Sequence, residues 1–169
     1  MLKPIIYLDQ DGVLADFEGW AANQFTDWKR EINSPNWGAF ANYQNLFELL
    51  PLMPYAKELY NECVELVGDV NQVQILTALP NRAHILMPHA ARNKIEWARE
   101  HINPNIRVHF GPYAQDKQYH FQHEHDILID DMQINIEQWE DVGGSGILYV
   151  NNNQAIVELE KILTKQGRK

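Results

Sequence analysis

Five short runs of apolar and often β-branched residues recur along the chain, and longer segments separate them. The runs cover residues 4–8, 73–77, 106–110, 126–129 and 147–150. Because they are apolar without strict alternation, they predict strands that are buried on both faces of a sheet. Most segments between them carry apolar residues at helical spacing. Strands that alternate with helices in this way predict an α/β fold with a parallel sheet, right-handed crossovers and helices on both faces.

Capping residues and helical periodicity set the predicted helices. Asp16 is a candidate N-cap for a helix that runs to about residue 28, and Pro54 suits the first turn of a helix that runs to about residue 67. Three more predicted helices span about residues 88–101, 134–139 and 154–163. The run Gly143-Gly144-Ser145-Gly146 follows a helix and precedes a strand, so we interpret it as a helix C-cap and a turn.

Residues 17–51 interrupt the alternation of strands and helices. This segment contains the helix after Asp16, a loop of helix-breaking residues at 33–38, and short helical pieces between Phe40 and Leu50. We therefore predict a small helical insertion over residues 17–51. Residues 1–16 and 52–169 are predicted to form one α/β core domain.

Composition restricts the class of protein further. The chain has 169 residues, of which 45% are hydrophobic, and a formal net charge of −9, which argues against a nucleic-acid polymer or an anionic membrane as its partner. Cys63 is the single cysteine and lies among apolar residues at helical spacing, so we expect it in the core. With no signal peptide and no run long enough to span a membrane, we expect a cytoplasmic protein. The sequence leaves a homodimer open.

Acidic or hydroxyl side chains stand at the carboxyl ends of three predicted strands. In a parallel sheet these ends meet at one edge, which is where ligands bind. Carboxylates gathered there repel one another unless a cation neutralises them, and carboxylate oxygens suit Mg²⁺. We therefore predict a site for Mg²⁺ at this edge. The candidate metal ligands are Asp9, Asp11, Asp130 and Asp131, and Thr77 ends the second strand beside them.

These acidic residues also have purely structural explanations. A carboxylate at a strand end often forms an Asx turn or caps a helix, and Asp131 would be favourable at the positive end of a helix dipole. The convergence of three strand ends favours the metal site. His120, His123 and His125 precede a strand without a matching set of ligands elsewhere in the sequence, so we do not predict a zinc site.

The stretch Asp9-Gln10-Asp11-Gly12-Val13-Leu14-Ala15-Asp16-Phe17 resembles the first motif of the haloacid dehalogenase-like phosphatases. Within that superfamily it is most similar to the 5′(3′)-deoxyribonucleotidases. The resemblance implies a Rossmann-like core, with residues 17–51 as a small cap over the active site. It also implies that Asp9 is a nucleophile that forms an aspartyl-phosphate, and that Asp11 acts as general acid and then as base. Mg²⁺ would bridge Asp9 and the phosphate.

Three further segments resemble the remaining motifs of the superfamily, in the same order. Thr77 matches the second motif, in which a hydroxyl group binds the transferring phosphoryl group. Ala78 stands where the deoxyribonucleotidases often carry a second small hydroxyl residue. Lys117 matches the third motif, where an ammonium group balances the carboxylates and the phosphate. Asp130 and Asp131 match the acidic fourth motif, and which of them binds the metal directly stays open.

Further candidate substrate ligands lie outside the four motifs. Lys94, which forms Lys-x-x-Trp with Trp97, and Arg82 are candidate phosphate ligands. Phe17 follows the first motif directly, where the family places an aromatic residue against the base, and Phe47 belongs to the aromatic residues of the insertion. These aromatic residues suit the flat face of a nucleobase.

The resemblance implies a Mg²⁺-dependent phosphomonoesterase that acts on (deoxy)nucleoside 5′-monophosphates. One alternative is a related phosphatase for another small phosphate ester such as a sugar phosphate. A basic, polar cap would favour that alternative, whereas an aromatic slot favours a nucleobase. A second alternative is a nucleotide-binding module without catalytic turnover.

Overall fold

The computed structural model describes residues 3–29, 35–111 and 113–167. Five parallel strands form one sheet in the order β3-β2-β1-β4-β5. The strands are β1 (Ile6–Leu8), β2 (Val73–Thr77), β3 (Val108–Phe110), β4 (Ile127–Asp130) and β5 (Ser145–Leu148). The predicted parallel sheet is therefore confirmed.

Strand β1 lies at the centre of the sheet and is paired with both neighbours. Ile6 lies opposite Val73 of β2 on one side and Ile127 of β4 on the other. Because the three strands run in the same direction from this common register, the chain leaves all of them at one edge of the sheet. That edge carries the candidate site.

Seven α-helices and three 3₁₀ helices connect these strands in the part of the chain that is described. The α-helices are α1 (Phe17–Gln24), α2 (Trp37–Phe40), α3 (Ala56–Val67), α4 (Ala83–Leu86), α5 (Ala90–His101), α6 (Gln133–Asp141) and α7 (Asn152–Lys165). The 3₁₀ helices span Leu46–Glu48, Val70–Gln72 and Ala114–His120. Asp16 caps α1 as predicted, since its side chain accepts a hydrogen bond from the Gly19 N–H at 2.8 Å. No helix among the described residues has both the length and the apolar character needed to cross a membrane.

Helices cover both faces of the sheet, as predicted. Ile6 and Leu8 of β1 belong to a large hydrophobic cluster that α3, α5 and α7 complete. Tyr7 points to the other face and belongs to a smaller cluster with Trp139 of α6. Cys63 is fully buried in the large cluster, which confirms its predicted position in the core, and burial raises the pKa of its thiol.

Within residues 17–29 and 35–51, the described part of the predicted insertion, the helices are α1, α2 and the 3₁₀ helix Leu46–Glu48. Helix α1 ends at Gln24, before its predicted end near residue 28, because Phe25 adopts an extended conformation. The predicted loop at 33–38 lies partly outside the described residues. Buried side chains of this segment share one hydrophobic cluster with β1, namely Phe17, Phe40, Leu46, Phe47 and Leu50. The division of the chain into a core domain and a separate cap stays a prediction.

The predicted position of β5 is wrong. The sequence predicts a helix C-cap and a turn over Gly143–Gly146 and a strand at 147–150, whereas the strand covers Ser145–Leu148. Gly146 pairs with Leu128 inside the sheet, and a Cβ atom at this position would lie 2.5 Å from Cγ2 of Ile136. Helix α6 therefore packs too closely on β5 to admit a side chain, which explains a glycine within the strand.

The sequence does not predict three short helices. One is the 3₁₀ helix Val70–Gln72, which precedes β2. The other two are helix α4, which follows β2, and the 3₁₀ helix Ala114–His120, which follows β3. Elements of one or two turns show too little periodicity to reveal themselves in an amino-acid pattern. The 3₁₀ helix Ala114–His120 matters for function, because it carries Lys117.

Candidate active site

The carboxyl edge of the sheet brings three predicted site residues together. Asp9 directly follows β1, and its N–H donates to the carbonyl oxygen of Ile129 in β4 at 2.9 Å. Thr77 ends β2, and Asp130 ends β4. All three side chains are buried. The convergence of strand ends that the sequence predicts is therefore present.

Lys117 lies between two of the carboxylates. Its Nζ is 2.8 Å from Oδ1 of Asp9 and 2.5 Å from Oδ2 of Asp130. Gly111 permits this approach, because a Cβ atom there would lie 2.8 Å from the backbone nitrogen of Lys117. Burial by itself would lower the pKa of Lys117, but the charges of Asp130 and Asp9 outweigh burial and raise this pKa above its usual value. The lysine thus stays charged although its side chain is only 2% exposed.

A second buried lysine approaches Asp11. The Nζ atom of Lys94 in α5 lies 2.5 Å from Oδ2 of Asp11 and 2.9 Å from Oγ1 of Thr77. The same atom lies 4.6 Å from the centroid of the Phe47 ring. Asp11 supplies the counter-charge that a buried ammonium group requires. Lys94 therefore links Asp11, the end of β2 and an aromatic ring of the segment 17–51.

Three carboxylates form a candidate metal-binding cluster. Asp9, Asp130 and Asp131 each offer an oxygen atom, and these atoms lie within 4.8 Å of one another. Gly12, whose φ is 85°, makes room for Asp131, because a Cβ atom at Gly12 would lie 2.2 Å from Oδ2 of Asp131. The carboxylate of Asp11 lies outside this group and pairs with the α5 lysine instead.

Asp130 is held by several hydrogen-bond donors. The N–H of Met132 donates to Oδ1 at 2.8 Å, and Lys117 donates to Oδ2. Nδ2 of Asn135 lies 3.1 Å from Oδ1 and 3.0 Å from Oδ2. Asn135 is not among the site residues that the sequence predicts. The one feature that could have indicated it is its place on the helix that directly follows the fourth motif.

Two carboxyl groups of this cluster, those of Asp9 and Asp131, resist ionisation. Burial, opposed by Lys117 and reinforced by Asp130 and Asp131, raises the pKa of Asp9 to about 8. Asp131 is exposed, but partial desolvation together with the charge of Asp130 raises its pKa to about 7. Ionisation of both groups at neutral pH therefore needs more positive charge than the lysines provide.

The charges and donor atoms of the site fit a divalent cation. Four carboxylates meet two ammonium groups here, so full ionisation leaves two excess negative charges. A doubly charged ion balances that excess. Because the donor atoms are carboxylate oxygens, they suit Mg²⁺ rather than a metal that prefers nitrogen or sulfur.

An aromatic cluster lies next to the lysine of α5. The rings of Phe17 and Phe47 are stacked, with centroids 6.3 Å apart and an interplanar angle of 21°. Trp37 packs against both rings, at 5.5 Å and 6.2 Å between centroids. Both Phe side chains are buried, and Phe47 reaches the polar site through its contact with Lys94. The two predicted base-contacting residues thus lie together.

Arg82 is the predicted site residue that the structure does not bring to the cluster. It is exposed and adopts a left-handed conformation with φ of 61° immediately before α4. Its side chain makes no hydrogen bond or ion pair with the residues that the structure describes.

This parallel sheet, with acidic residues and a lysine at its carboxyl edge, defines the class of the haloacid dehalogenase-like hydrolases. The model of one family, described as 5′ nucleotidase, deoxy (Pyrimidine), cytosolic type C protein, matches residues 3–163. The chain belongs to this family. The protein is therefore a hydrolase, a nucleotide phosphatase of the haloacid dehalogenase type.

Among solved structures, the chain is similar to a hydrolase from Streptococcus pneumoniae TIGR4. The two share 17% sequence identity, and the superposition has a TM-score of 0.47. It covers 96% of this chain and 100% of that chain. No curated protein matches the sequence.

Proposed function

We propose that the protein hydrolyses (deoxy)nucleoside 5′-monophosphates to nucleosides and inorganic phosphate, with Mg²⁺ as its cofactor. The observation that carries the proposal is the position of Lys117, 2.8 Å from Asp9 and 2.5 Å from Asp130, at the sheet edge where Asp131 also lies. This arrangement gathers a nucleophile, oxygen ligands for a metal, and a fixed cation for a phosphate group.

Asp9 and Asp131 are the proposed direct carboxylate ligands of Mg²⁺, together with the backbone carbonyl of Asp11. Both oxygens of Asp130 already accept hydrogen bonds, including one from Lys117. The carboxylate of Asp131 lies against Gly12, in the loop that follows Asp9. We therefore assign Asp130 a supporting role, in which it orients the lysine. When bound, Mg²⁺ supplies positive charge that neutralises the phosphate and makes phosphorus easier to attack.

Asp9 is the proposed nucleophile. Its Oδ1 accepts hydrogen bonds from its neighbour's backbone, the Gln10 N–H at 2.7 Å, and from Lys117. Two donors on one oxygen fix the rotation of the carboxylate and prepare it for attack. Attack forms a bond between this carboxylate and phosphorus, and breaks the bond between phosphorus and the 5′ oxygen of the nucleoside. The product of this step is an aspartyl-phosphate and a nucleoside.

Asp11 is the proposed general acid and base. Lys94 holds its Oδ2, whereas its Oδ1 has no hydrogen-bond partner among the described residues. We assign proton transfer to Oδ1. It gives a proton to the leaving 5′ oxygen in the first step and takes one from water in the second. The water attacks phosphorus, breaks the bond to Asp9 and releases inorganic phosphate.

The cations and the hydroxyl group of the site are proposed to bind the phosphate. Lys117 contacts Asp9, and Lys94 contacts both Asp11 and Thr77, so the three groups lie beside the proposed nucleophile and the proposed acid. Lys94 lies next to the position where Ala78 replaces a second hydroxyl residue, and its ammonium group compensates for that missing donor. Arg82 contacts none of these groups, so we do not include it in the proposed phosphate site.

The aromatic cluster supports a nucleobase as part of the substrate. Phe17 and Phe47 are buried against each other in an apolar aromatic cluster, and Lys94 joins Phe47 to the phosphate-binding groups. An aromatic side chain recognises the flat face of any base, which agrees with a nucleotide better than with a sugar phosphate.

The test is phosphate release from a panel of 5′- and 3′-mononucleotides, ribo and deoxy, with Mg²⁺ and with chelator. We expect release from 5′-monophosphates only when Mg²⁺ is present, with sugar phosphates turned over more slowly. Faster release from sugar phosphates would replace the proposed substrate and keep the reaction. Nucleotide binding without release from any compound would support the non-catalytic module and contradict the proposal.

We also propose that the protein acts in the cytoplasm. Its family is described as cytosolic, and its single cysteine is buried and unpaired, as suits a reducing compartment. The homodimer that the sequence leaves open stays untested.

A further inference from the structure

We propose that Asn135 is a positioning residue, which fixes the carboxylate of Asp130 and, through Lys117, the carboxylate of Asp9. Nδ2 of Asn135 lies 3.1 Å and 3.0 Å from the two oxygens of Asp130, so the amide faces the open fork of the carboxylate. Asn135 is 2% exposed and Asp130 is fully buried, so solvent does not compete for this contact. The kinetic consequence of this inference rests on the proposed phosphatase function, whereas its geometric basis does not.

The amide group of Asn135 serves Asp130 alone in the described part of the chain. An ionised carboxylate only accepts hydrogen bonds, so the amide must turn its nitrogen towards Asp130. This orientation leaves Oδ1 of Asn135 buried without a hydrogen-bond partner among the described residues. A buried acceptor without a partner destabilises a folded protein. The stability of the fold therefore does not explain an asparagine at position 135, whereas its contact with Asp130 does.

The contact from Asn135 completes the orientation of Asp130. The N–H of Met132 holds Oδ1 at 2.8 Å, and Asn135 spans both oxygens. With the plane of the carboxylate fixed in this way, Oδ2 points at Lys117 at 2.5 Å. Lys117 in turn lies 2.8 Å from Asp9, so the orientation passes from α6 to the proposed nucleophile. Mutation of a residue that orients a metal ligand or a catalytic group through a hydrogen bond commonly changes metal affinity or activity by a large factor.

The helix that carries Asn135 is well anchored. The N–H of Asn135 donates to the carbonyl oxygen of Met132 at 3.0 Å. The next residue, Ile136, packs into the hydrophobic cluster with Tyr7 and Leu128 of the sheet. Helix α6 is therefore held in place, so the amide of Asn135 can restrict the orientation of the Asp130 carboxylate.

The experiment replaces the amide and keeps the helix. Asn135→Leu preserves the approximate size of the side chain without its donor, and Asn135→Ala is a second variant that favours the helix. Gln133→Leu is the matched control, because it removes an exposed amide of the same helix whose partner is Glu137 at 3.0 Å. Each protein is stripped of metal and titrated with Mn²⁺ by calorimetry. Thermal unfolding and the kcat and KM for a nucleoside 5′-monophosphate with Mg²⁺ are then measured.

We expect both Asn135 variants to bind Mn²⁺ about tenfold more weakly and to lose about tenfold in kcat, with KM changed by less than about twofold. Unfolding should stay cooperative, and Gln133→Leu should match the wild type throughout. The inference is overturned when both variants bind Mn²⁺ within about twofold of the wild type, or when KM rises while kcat is unchanged. If Asn135→Leu does not fold, Asn135→Ala decides. If the wild type releases no phosphate, the proposed function fails, and the Mn²⁺ titration still decides on Asn135.

Discussion

At the scale of single residues, two buried lysines make the acidic site tolerable to the fold. Lys117 joins Asp9 to Asp130, and Lys94 is paired with Asp11. Lys117 contacts two of the carboxylates and Lys94 a third, and neither lysine forms an ion pair with Asp131. Each lysine therefore serves both stability and the proposed chemistry, because the same ammonium group that compensates a carboxylate can bind a phosphate oxygen.

The first motif can be recognised in the sequence, but the tertiary contact made by its glycine, Gly12, cannot be predicted from it. Gly12 directly follows Asp11, and its positive φ of 85° suits a sharp turn of the backbone there. The structure adds that Gly12 lies directly against Asp131, from a segment more than a hundred residues away. A contact between distant segments leaves no trace in a single sequence. Asn135 is not predicted either, although Asp130 lies only five residues before it, because the direction of its side chain is set by the packing of α6.

Replacing Gly12 by alanine tests this contact. Gly12→Ala adds a Cβ atom 2.2 Å from Oδ2 of Asp131 at a position with φ of 85°, so it should displace that carboxylate. We expect the Mg²⁺ concentration for half-maximal activity to rise by about tenfold or more, as for loss of a metal-orienting group. Phosphate release measured against Mg²⁺ concentration reports the change.

Gly68→Ala is the control for Gly12→Ala. Gly68 also has a positive φ, 70°, but no atom lies within 4 Å of its would-be Cβ atom. Both variants carry backbone strain of about 1 kcal/mol, and only one disturbs the carboxylate. Equal Mg²⁺ requirements in the two variants would show that the contact with Asp131 has no role in metal binding.

At the scale of elements, helix α5 connects the aromatic cluster to the sheet. The indole N–H of Trp97 donates to the carbonyl oxygen of Leu50 at 2.7 Å. Nδ2 of Asn93 donates to the carbonyl oxygen of Gln44 at 2.7 Å. The last part of the segment 17–51 is therefore tied to α5 by polar contacts on both sides of Phe47. The element that positions Lys94 also positions the ring against which it packs.

Trp97→Phe should loosen this connection without touching the acidic cluster. The variant leaves the buried carbonyl oxygen of Leu50 unpaired, and we expect the free energy of unfolding to fall by about 1–3 kcal/mol. Because Phe47 lies three residues before Leu50, we expect KM for nucleotides to rise severalfold with kcat nearly unchanged. Urea unfolding and steady-state kinetics measure the two effects.

Trp139→Phe is the matched control on the opposite face of the sheet, where the indole N–H contacts the carbonyl oxygen of Asp126 at 3.4 Å. It should lower stability and leave KM unchanged. A KM that changes equally in both variants would mean that α5 does not position the aromatic cluster.

Element boundaries are predictable where pattern alone determines them. Strands β2 and β4 are continuous apolar runs that end in functional residues, and both lie where the sequence places them or within one residue. Strand β5 is misplaced because Gly146 resembles a turn residue in the sequence. In the structure, the close packing of α6 on β5 requires this glycine within the strand. The helix that carries Lys117 is missed because it is a 3₁₀ helix, which lacks the periodicity of an α-helix.

At the scale of the whole molecule, the parallel sheet brings the site residues together. Its order places β1 between β2 and β4, so Asp9, Thr77 and Asp130 meet although they are far apart in sequence. The sequence predicts this convergence from the direction of the strands alone. It does not predict how the side chains pair, because the pairing of Lys94 with Asp11 and Lys117 with Asp9 depends on side-chain packing across several elements.

The stability of the molecule should depend on His109 as pH falls. His109 lies on β3, with Nε2 2.7 Å from Oε1 of Gln74. Burial, followed by the nearby His120 and Arg107, lowers the pKa of His109 below its usual 6.5. The unfolded chain then binds a proton first as pH falls, so the contribution of His109 to stability is complete above pH of about 6.5 and is lost below it.

The measurement compares the free energy of unfolding of the wild type and His109→Gln at about pH 7 and about pH 5.5. The wild type should lose more stability than the variant over this range. The comparison isolates His109, since both proteins carry the same carboxylates. An equal loss in both proteins would show that the histidine titrates alike in the folded and unfolded states.

The claim on which the account depends is that Asp9 receives the phosphoryl group. Its most direct test is phosphate release from a deoxynucleoside 5′-monophosphate, with Mg²⁺, by the wild type and by Asp9→Asn. Because an amide cannot serve as the nucleophile, we expect the variant to lose activity by about a thousandfold or more while it unfolds cooperatively and still binds the nucleotide. Release by a pure Asp9→Asn protein within about tenfold of the wild type would contradict the account.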